Sequence, residues 1–375
     1  MRAFLALALL LSPTTAAASD PAHQVTVTVY QPGGLSPEAQ FVVQEVAGDQ
    51  SANLAIFHSG TLELLRVLRG AEVVQAAPDG FRYPMSTLAV DPHRVLRLMG
   101  GEAANALAAG QVVLGEASAR LRGARPGDQV EVIGWDGAFW RLPVGAVVPD
   151  EDIRWAEMAI SERTAVSLGM VRPSFVLLWD LADPPSVLAT LEGRLPPDQA
   201  ISVRTSEDEP DLNGVLPAAL VKQRFGEFAY RPGFGDQVTI DPAWEKGNIV
   251  WMELPVLGRF RCHRLMAPYL AGAMADLQES GLIYQIDPDD FQRSGGCYNP
   301  RAMRGGDKGG ALSRHAWGAA IDINPSRNPY GGPVAMNRKI VATFHEWGFA
   351  WGGGWTYPDG GHFEWTHLPE FMLEP

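Results

Sequence analysis

The stretch "SRHAWGAAIDIN", residues 313–324, decides the fold of the C-terminal part of this 375-residue chain. It holds His315 and Asp322 seven positions apart, with glycine and alanine packed between them. Small residues let two backbone segments approach each other closely. The stretch therefore predicts a thin strand whose two flanking side chains converge on one point.

A second stretch, "WTYPDGGHFEWTH" at residues 355–367, supplies a further histidine, His362. Together with His315 and Asp322 it makes a set of two imidazoles and one carboxylate. Catalytic zinc sites use three protein ligands of these types and keep a fourth position for water. These three residues are therefore our predicted ligands of a Zn²⁺ ion.

A zinc hydrolase also needs a carboxylate that accepts a proton from the attacking water. Asp359 lies three residues before His362, on the loop that enters its strand. Glu364 is the alternative, because side chains two residues apart in a strand lie on the same face. We favour Asp359 as the general base and keep Glu364 open.

The composition limits the classes of partner. The formal net charge is −13, and nucleic-acid binding instead needs a basic surface. Residues 1–18 combine Arg2, an apolar run and small residues, which is typical of a secretory signal peptide. We find no later apolar run of membrane-spanning length, so we expect a mature chain without a membrane span, exported to the periplasm or the exterior. The sequence does not indicate an oligomeric state.

The chain has two cysteines, Cys262 and Cys297. An even number of cysteines in an oxidising compartment predicts a disulfide between them. A metal site made from the two is disfavoured, because they lack the short spacing of cysteine ligands.

The first part of the chain, 19–206, predicts one mixed α+β module of unknown role. Alternating residues at 24–30 favour a strand, whereas the spacing at 61–70 favours a helix. Residues 92–110 predict one or two short helices. Residues 111–150 predict a strand, a helix and a hairpin with turns at Pro-Gly-Asp and Asp-Gly, and they loosely resemble extracytoplasmic domains of macrolide-exporter-type ABC permeases.

The second part begins after a polar, turn-rich linker at 207–215. Residues 216–231 and 264–281 have the apolar spacing of helices. We expect 216–375 to form a small α+β domain with a central antiparallel sheet that carries the metal. The predicted fold class is therefore α+β with two domains.

The motifs of this second part resemble a known family. "SRHAWGAAID" has the pattern S-x-H-x-x-G-x-A-x-D of the zinc D-Ala-D-Ala carboxypeptidases of the vancomycin-resistance type. "GFAWGGGW" followed by "DGGHFEW" looks like the related L-alanyl-D-glutamate endopeptidases. The resemblance covers residues 260–365.

This resemblance implies the same metal ligands and base: His315, Asp322 and His362 bind zinc, and Asp359 takes the place of the family's acidic base. It also implies a substrate-binding arginine in a Y-x-x-R setting, which matches Tyr298 to Arg301. Arg301 is accordingly predicted to be both catalytic and substrate-binding.

Two further substrate contacts follow from the resemblance, at Ser313 and at Tyr298. Two departures leave the cleaved bond open: the carboxypeptidases usually carry glutamate where this chain has Asp359, and the endopeptidases often carry aspartate where it has Gly354. The implied function is a zinc peptidase for peptidoglycan stem peptides, D-Ala-D-Ala carboxypeptidase-like. An L-Ala-D-Glu endopeptidase, another zinc hydrolase such as an amidase, and an inactive zinc-containing cell-wall-binding module remain alternatives.

Overall fold

The computed structural model describes residues 25–31, 33–48, 53–170, 173–205, 216–294, 296–303, 311–355 and 357–369. The predicted signal peptide at 1–18 and the predicted linker at 207–215 lie outside these residues. Within the described part of the chain, no helix is both long and apolar enough to cross a membrane.

The elements follow one another as a strand-rich first part and a second part with short strands and longer helices. The strands are β1 Val27–Tyr30, β2 Leu54–Arg69, β3 Glu72–Ala76, β4 Tyr83–Val90, β5 Val112–Gly115, β6 Gln129–Ile133, β7 Phe139–Val148, β8 Met158–Ser161, β9 Phe175–Leu178, β10 Ser202–Thr205, β11 Tyr230–Pro232, β12 Val238–Ile240, β13 Ile249–Leu254, β14 Gly258–His263, β15 Ala320–Asp322, β16 Phe349–Trp351 and β17 His362–Trp365. The α-helices are α1 Pro37–Ala47, α2 Leu96–Ala108, α3 Glu116–Arg122, α4 Glu162–Ser167, α5 Pro184–Arg194, α6 Ala218–Phe225, α7 Pro242–Asn248, α8 Ala267–Glu279, α9 Pro288–Ser294 and α10 Arg338–Glu346.

The first part is built around a closed, barrel-like sheet. From the long strand β2 the order runs through β4, β8, β5, β7 and β6, and β6 pairs with β2 again. Strands β9, β1 and β10 extend the sheet from the beginning of β2. The mixed helix and strand content agrees with the predicted α+β class, but the closure of the sheet was not predicted.

The helix predicted at 61–70 is wrong, because these residues form the second half of β2. Leu62, Leu64 and Val67 are all fully buried. A register shift lies between Leu64 and Arg66, where β2 pairs with β6. A bulge adds one residue to a strand, so the interval between inward side chains changes from two to three and imitates helical spacing.

Most other element predictions are confirmed. Residues 111–150 form β5, α3, β6 and β7. The one or two short helices expected at 92–110 appear as α2, which has a kink at Gly100 with φ 76°. The helix predicted at 264–281 is α8, whereas the one predicted at 216–231 is shorter: α6 ends before Gly226, whose φ of 87° favours glycine.

The second part carries a small antiparallel sheet in the order β15, β17, β16. One hydrophobic cluster, from Val221 to Trp365, packs around it and includes the buried faces of α8 and α10. The predicted disulfide is confirmed: Cys262 on β14 is bonded to Cys297, with their Cα atoms 5.3 Å apart. This bond joins β14 to the segment that precedes the ligand-bearing stretch.

A buried group of four charged side chains connects the two parts; we call Arg122, Glu157, Lys222 and Glu227 the docking cluster. The Nζ atom of Lys222, on α6, lies 2.8 and 2.9 Å from the two carboxylate oxygens of Glu157. Arg122 donates to Glu157 at 2.8 Å and to Glu227 at 2.7 Å. Residues after the predicted linker are thus anchored in the first part, and the domain boundary at 207–215 stays a prediction.

Candidate metal centre

The three predicted ligands come from three short elements that the sheet brings together. His315 lies in a 3₁₀ turn, Arg314–Trp317, which leads into β15. Asp322 ends β15 and is paired in register with His362, which begins β17. Residues paired in this way project from the same face of the sheet, so the strand pairing itself places the carboxylate beside the imidazole.

The turn that carries His315 is held by a close backbone contact. It ends at Gly318, which has a φ of 63°. A Cβ atom there would lie 2.8 Å from the backbone nitrogen of His263. That nitrogen instead donates to the Gly318 carbonyl at 2.9 Å. Only glycine fits both the backbone conformation and this contact, which fixes the turn against the end of β14.

The donor atoms converge on one carboxylate oxygen. His315 Nε2 lies 3.2 Å from Asp322 Oδ1, and His362 Nδ1 lies 2.8 Å from the same atom. One ligand atom from each of the three residues lies within 4.8 Å of the other two, so the set could hold a metal ion. Burial alone would raise the pKa of Asp322, but the neighbouring imidazoles hold it well below its usual range.

The outer ring nitrogens are also bonded. His315 Nδ1 lies 2.9 Å from the backbone carbonyl of Cys297, and His362 Nε2 lies 3.1 Å from Glu364 Oε1. Both partners accept hydrogen bonds, so each outer nitrogen is assigned the proton. When the rings are neutral, the inner nitrogens, His315 Nε2 and His362 Nδ1, carry the lone pairs that a metal ion requires. Zinc-binding histidines typically donate a hydrogen bond from one ring nitrogen and bind the metal with the other. The residues present therefore fit zinc.

Without a metal ion, hydrogen bonds make His362 hold its proton strongly. Burial lowers the pKa of His362, but its bonds to Asp322 and Glu364 outweigh burial and raise the pKa to about 10. A metal ion must displace that proton, since only the neutral imidazole is a ligand.

Asp359 lies at the entrance to β17. Its backbone nitrogen donates to Gly352 at 2.9 Å, and its carbonyl accepts from the His362 backbone nitrogen at 3.1 Å. Burial raises the pKa of its carboxyl, the charge of Asp322 adds to this, and His362, His315 and Arg301 act in the opposite direction. Asp359 is therefore close enough to interact with the charges of the ligand set and with that of Arg301.

Glu364 lies on the far side of His362 and is 7% exposed. Its second oxygen, Oε2, is 3.5 Å from Nε of Arg314. Burial would raise the pKa of Glu364, but the bond to His362 and the positive charge of Arg314 lower it.

The predicted substrate-binding residues occupy different environments. Ser313 and Tyr298 are each 6% exposed. The Ser313 hydroxyl accepts from the His315 backbone nitrogen at 3.3 Å, and Tyr298 packs under the Arg261 guanidinium, 4.9 Å from its ring centre. Arg301 is half-buried, and its carbonyl accepts from the Ser313 backbone nitrogen at 3.0 Å. Substrate contact by these three residues stays a prediction.

Sequence reasoning missed two groups that hold the ligands. The Cys297 carbonyl is a backbone group, so no residue type announces it. Arg314 directly precedes His315 in the quoted motif. A cation next to one predicted ligand, together with Glu364 two residues after another, was the sequence signal for an ion pair near the ligands. Trp355 also lies beside the ligands, with its ring centre 5.5 Å from that of His362.

One comparison bears directly on this geometry. Residues 306–365 match the family model described as D-alanyl-D-alanine carboxypeptidase. The three ligand candidates and Asp359 all fall inside the match. The resemblance in the C-terminal part is thereby confirmed, and the match supports a peptidase. No curated protein matches the chain.

A likeness among solved structures concerns a larger share of the chain. It is to the extracellular domain of the noncanonic ABC-type transporter YknZ from Gram-positive bacteria, with 12% identity and a TM-score of 0.31. The likeness covers 48% of this chain and 99% of that one. At this TM-score it carries no conclusion about fold or function.

Proposed function

We propose that the protein is an exported, zinc-dependent peptidase that hydrolyses peptidoglycan stem peptides in the manner of a D-Ala-D-Ala carboxypeptidase. The observation that carries the proposal is the convergence of His315 Nε2 and His362 Nδ1 on Asp322 Oδ1. The family match over residues 306–365 supports the peptidase class. The signal-peptide pattern at 1–18 supports export.

Zinc would be held by His315, Asp322 and His362. When bound, the ion lowers the pKa of a water molecule to about 7 and polarises a carbonyl group. The buried imidazoles and their outer acceptors keep the three donor atoms in place before the ion arrives. Such preorganisation is what a catalytic site requires of its ligands.

Asp359 would move the proton. Its carboxyl has a raised pKa and lies close to the ligand set. A carboxylate in that position accepts a proton from the attacking water and then donates it to the leaving amine. A base with a raised pKa is better matched to both halves of this transfer at neutral pH.

Arg301 would bind the substrate. Its guanidinium is a planar cation with paired donors, suited to a terminal carboxylate or to a carbonyl oxygen that gains negative charge. A stem peptide ending in D-Ala-D-Ala offers both groups at adjacent positions. The half-buried guanidinium lies close enough to Asp359 for their charges to interact.

The second candidate is an L-Ala-D-Glu endopeptidase on the same site. The observation that favours it is the tryptophan-rich loop at 351–355, which resembles that branch and places Trp355 beside His362. An inactive cell-wall-binding module is less consistent with the chain, because a pure binder does not need the acid Asp359.

The test is mass spectrometry of purified muropeptides with pentapeptide stems, before and after incubation with the zinc-loaded protein. The proposal predicts loss of one D-alanine from each stem. Asp359→Ala and a chelator-treated sample serve as the two controls. Cleavage between L-Ala and D-Glu would instead select the endopeptidase. If no muropeptide changes mass, the cell-wall substrate is wrong.

A further inference from the structure

We propose that Glu364 and Arg314 are positioning residues for the metal ligand His362 and take no part in proton transfer. The inference rests on the proposed function and deepens it, because it assigns a role to the acid that competes with Asp359. It also assigns a role to an arginine that neither the motifs nor the family resemblance explained.

Glu364 lies behind the ligand. In the imidazole ring of His362, Nδ1 faces Asp322 at 2.8 Å and Nε2 faces Glu364 at 3.1 Å. The two nitrogens point in different directions from the ring. A carboxylate bonded to the outer nitrogen is therefore directed away from the point on which the inner donors converge, where water and substrate would react.

The strand pairing makes room for this carboxylate. Glu364 is in the central strand β17, opposite Ala320 on β15 and Ala350 on β16. Both alanines are buried and present only a methyl group beside the glutamate. The side chain of Arg314 can therefore reach over the sheet to Glu364 from the 3₁₀ turn.

Both oxygens of Glu364 have partners. Oε1 accepts from His362, and Oε2 lies 3.5 Å from Arg314 Nε. Arg314 is itself fixed at its other end, because its NH2 group donates to the Leu216 carbonyl at 2.6 Å. The result is a continuous chain of contacts from Leu216 through Arg314 and Glu364 to the ligand.

This chain does two things for the metal. The carboxylate holds the proton on Nε2 of His362, which leaves the Nδ1 lone pair for the ion, and it makes that lone pair more basic. The guanidinium keeps the carboxylate correctly oriented toward His362. Loss of such an outer partner typically weakens metal affinity by about 10–100-fold.

The experiment measures the zinc dissociation constant by competition with a chromophoric chelator. The set is the wild type, Glu364→Ala, Glu364→Gln, Arg314→Ala and Arg314→Lys. A matched control is Glu116→Gln, which breaks the exposed pair of Glu116 with Arg120, at 3.1 Å, away from the metal centre. Steady-state kcat on muropeptides at saturating zinc is recorded for each protein.

We expect Glu364→Ala to raise the zinc dissociation constant by about 10–100-fold, and Arg314→Ala to raise it less. Glu364→Gln should lie between the wild type and Glu364→Ala, because its amide oxygen still accepts from Nε2, and Arg314→Lys should recover part of the loss in Arg314→Ala. The control should bind zinc like the wild type. In proton NMR of the zinc-loaded protein, the Nε2 proton of His362 should be protected in the wild type and in Glu364→Gln and exchange rapidly in Glu364→Ala.

Two outcomes would overturn the inference. One is an unchanged zinc dissociation constant in Glu364→Ala with kcat reduced about a hundredfold, which is the signature of a lost base. The other is wild-type behaviour in both measurements. If circular dichroism shows that Glu364→Ala does not fold, the decision passes to Glu364→Gln, which retains the shape of the side chain. Absence of zinc binding by the wild type would refute the proposed function instead.

Discussion

The docking cluster and the metal centre are both buried groups of charged side chains, but their charges are arranged differently. In the docking cluster two cations, Arg122 and Lys222, face two carboxylates, Glu157 and Glu227, at 2.7 to 3.3 Å. In the metal centre two imidazole nitrogens converge on a single carboxylate oxygen. In the docking cluster the positive and negative charges are equal in number. In the metal centre three possible ligand atoms lie within 4.8 Å of one another, close enough to share one cation.

This difference distinguishes a structural group from a candidate metal site. Buried charges are tolerated when each meets an opposite charge, and they then join the elements that carry them. Ligand atoms that converge, with their outer atoms already bonded, are completed by a cation. Burial and charge alone would not have told the two groups apart; the direction of each donor atom does.

The largest expected effect on stability comes from unbalancing the docking cluster. Glu157→Gln leaves Arg122 and Lys222 buried with one full negative charge fewer, which should lower the free energy of unfolding by about 3–5 kcal/mol. Urea unfolding measures it. The control Glu116→Gln breaks an exposed pair and should lower the free energy by at most about 1 kcal/mol. Equal losses in both variants would mean that the docking cluster contributes no more than a surface ion pair.

The next effect separates proton transfer from metal binding. Asp359→Ala should lower kcat by about a hundredfold or more, because it removes an acid–base group, while zinc remains bound. Turnover and metal content are measured on the same preparation. Loss of zinc from this variant would place Asp359 among the ligands, and wild-type turnover would remove it from the mechanism.

A smaller effect is expected at Arg301, the proposed substrate-binding residue. Arg301→Ala should reduce kcat/KM on muropeptides by about tenfold, the scale of one lost hydrogen bond to a charged group. Its zinc content should not change. Arg259→Ala, which removes an exposed arginine from β14, is the matched control. If both variants are as active as the wild type, Arg301 does not bind substrate.

The smallest effect is the pH dependence of stability that comes from His263, which is buried against the 3₁₀ turn that carries His315. Leu265 donates to its Nδ1 at 3.2 Å, so the proton on Nε2 is directed to the Phe225 carbonyl at 3.1 Å. Burial lowers the pKa of His263 to about 4 from the model-peptide value of 6.5. Between these two values the unfolded chain binds a proton that the folded chain does not, so stability falls as the pH falls from 6.5 toward 4.

At pH 5.5 this amounts to about 1 kcal/mol relative to pH 7.5. His263→Gln should remove that part of the pH dependence, measured by urea unfolding in the presence of a chelator. His93→Gln, at an exposed histidine, should unfold with the pH dependence of the wild type. Parallel curves for the wild type and His263→Gln would show that His263 is not held neutral.

The metal centre was more predictable from sequence than the fold around it. His315 and Asp322 lie in one short motif, and the glycine between them, Gly318, is required by a backbone contact, so the candidate ligands could be recognised from neighbouring positions. The disulfide was predictable for a similar reason, since Cys262 and Cys297 are the two cysteines of the chain.

The barrel-like sheet was not predictable, because its closure depends on the pairing of β2 with β6. These strands are distant in sequence, and a bulge interrupts their register. The docking cluster was not predictable for the same reason. In the sequence, Lys222 is one charged residue in an amphipathic helix, and its partner Glu157 is 65 residues away. Glu364 was predicted as the alternative base, but its contact with Nε2 of His362 was not predictable, because the sequence gives the face of a strand and not the ring atom that a side chain contacts.

The most direct test of the metal centre is the zinc content of the purified protein, measured by inductively coupled plasma mass spectrometry. Three donor residues and one ion predict about one zinc per chain in the wild type. His315→Ala, Asp322→Ala and His362→Ala should each lose most of the metal, while Lys222→Met in the docking cluster should retain it in the folded fraction. Full retention of zinc in all three ligand variants, or a wild type without zinc, would contradict the assignment.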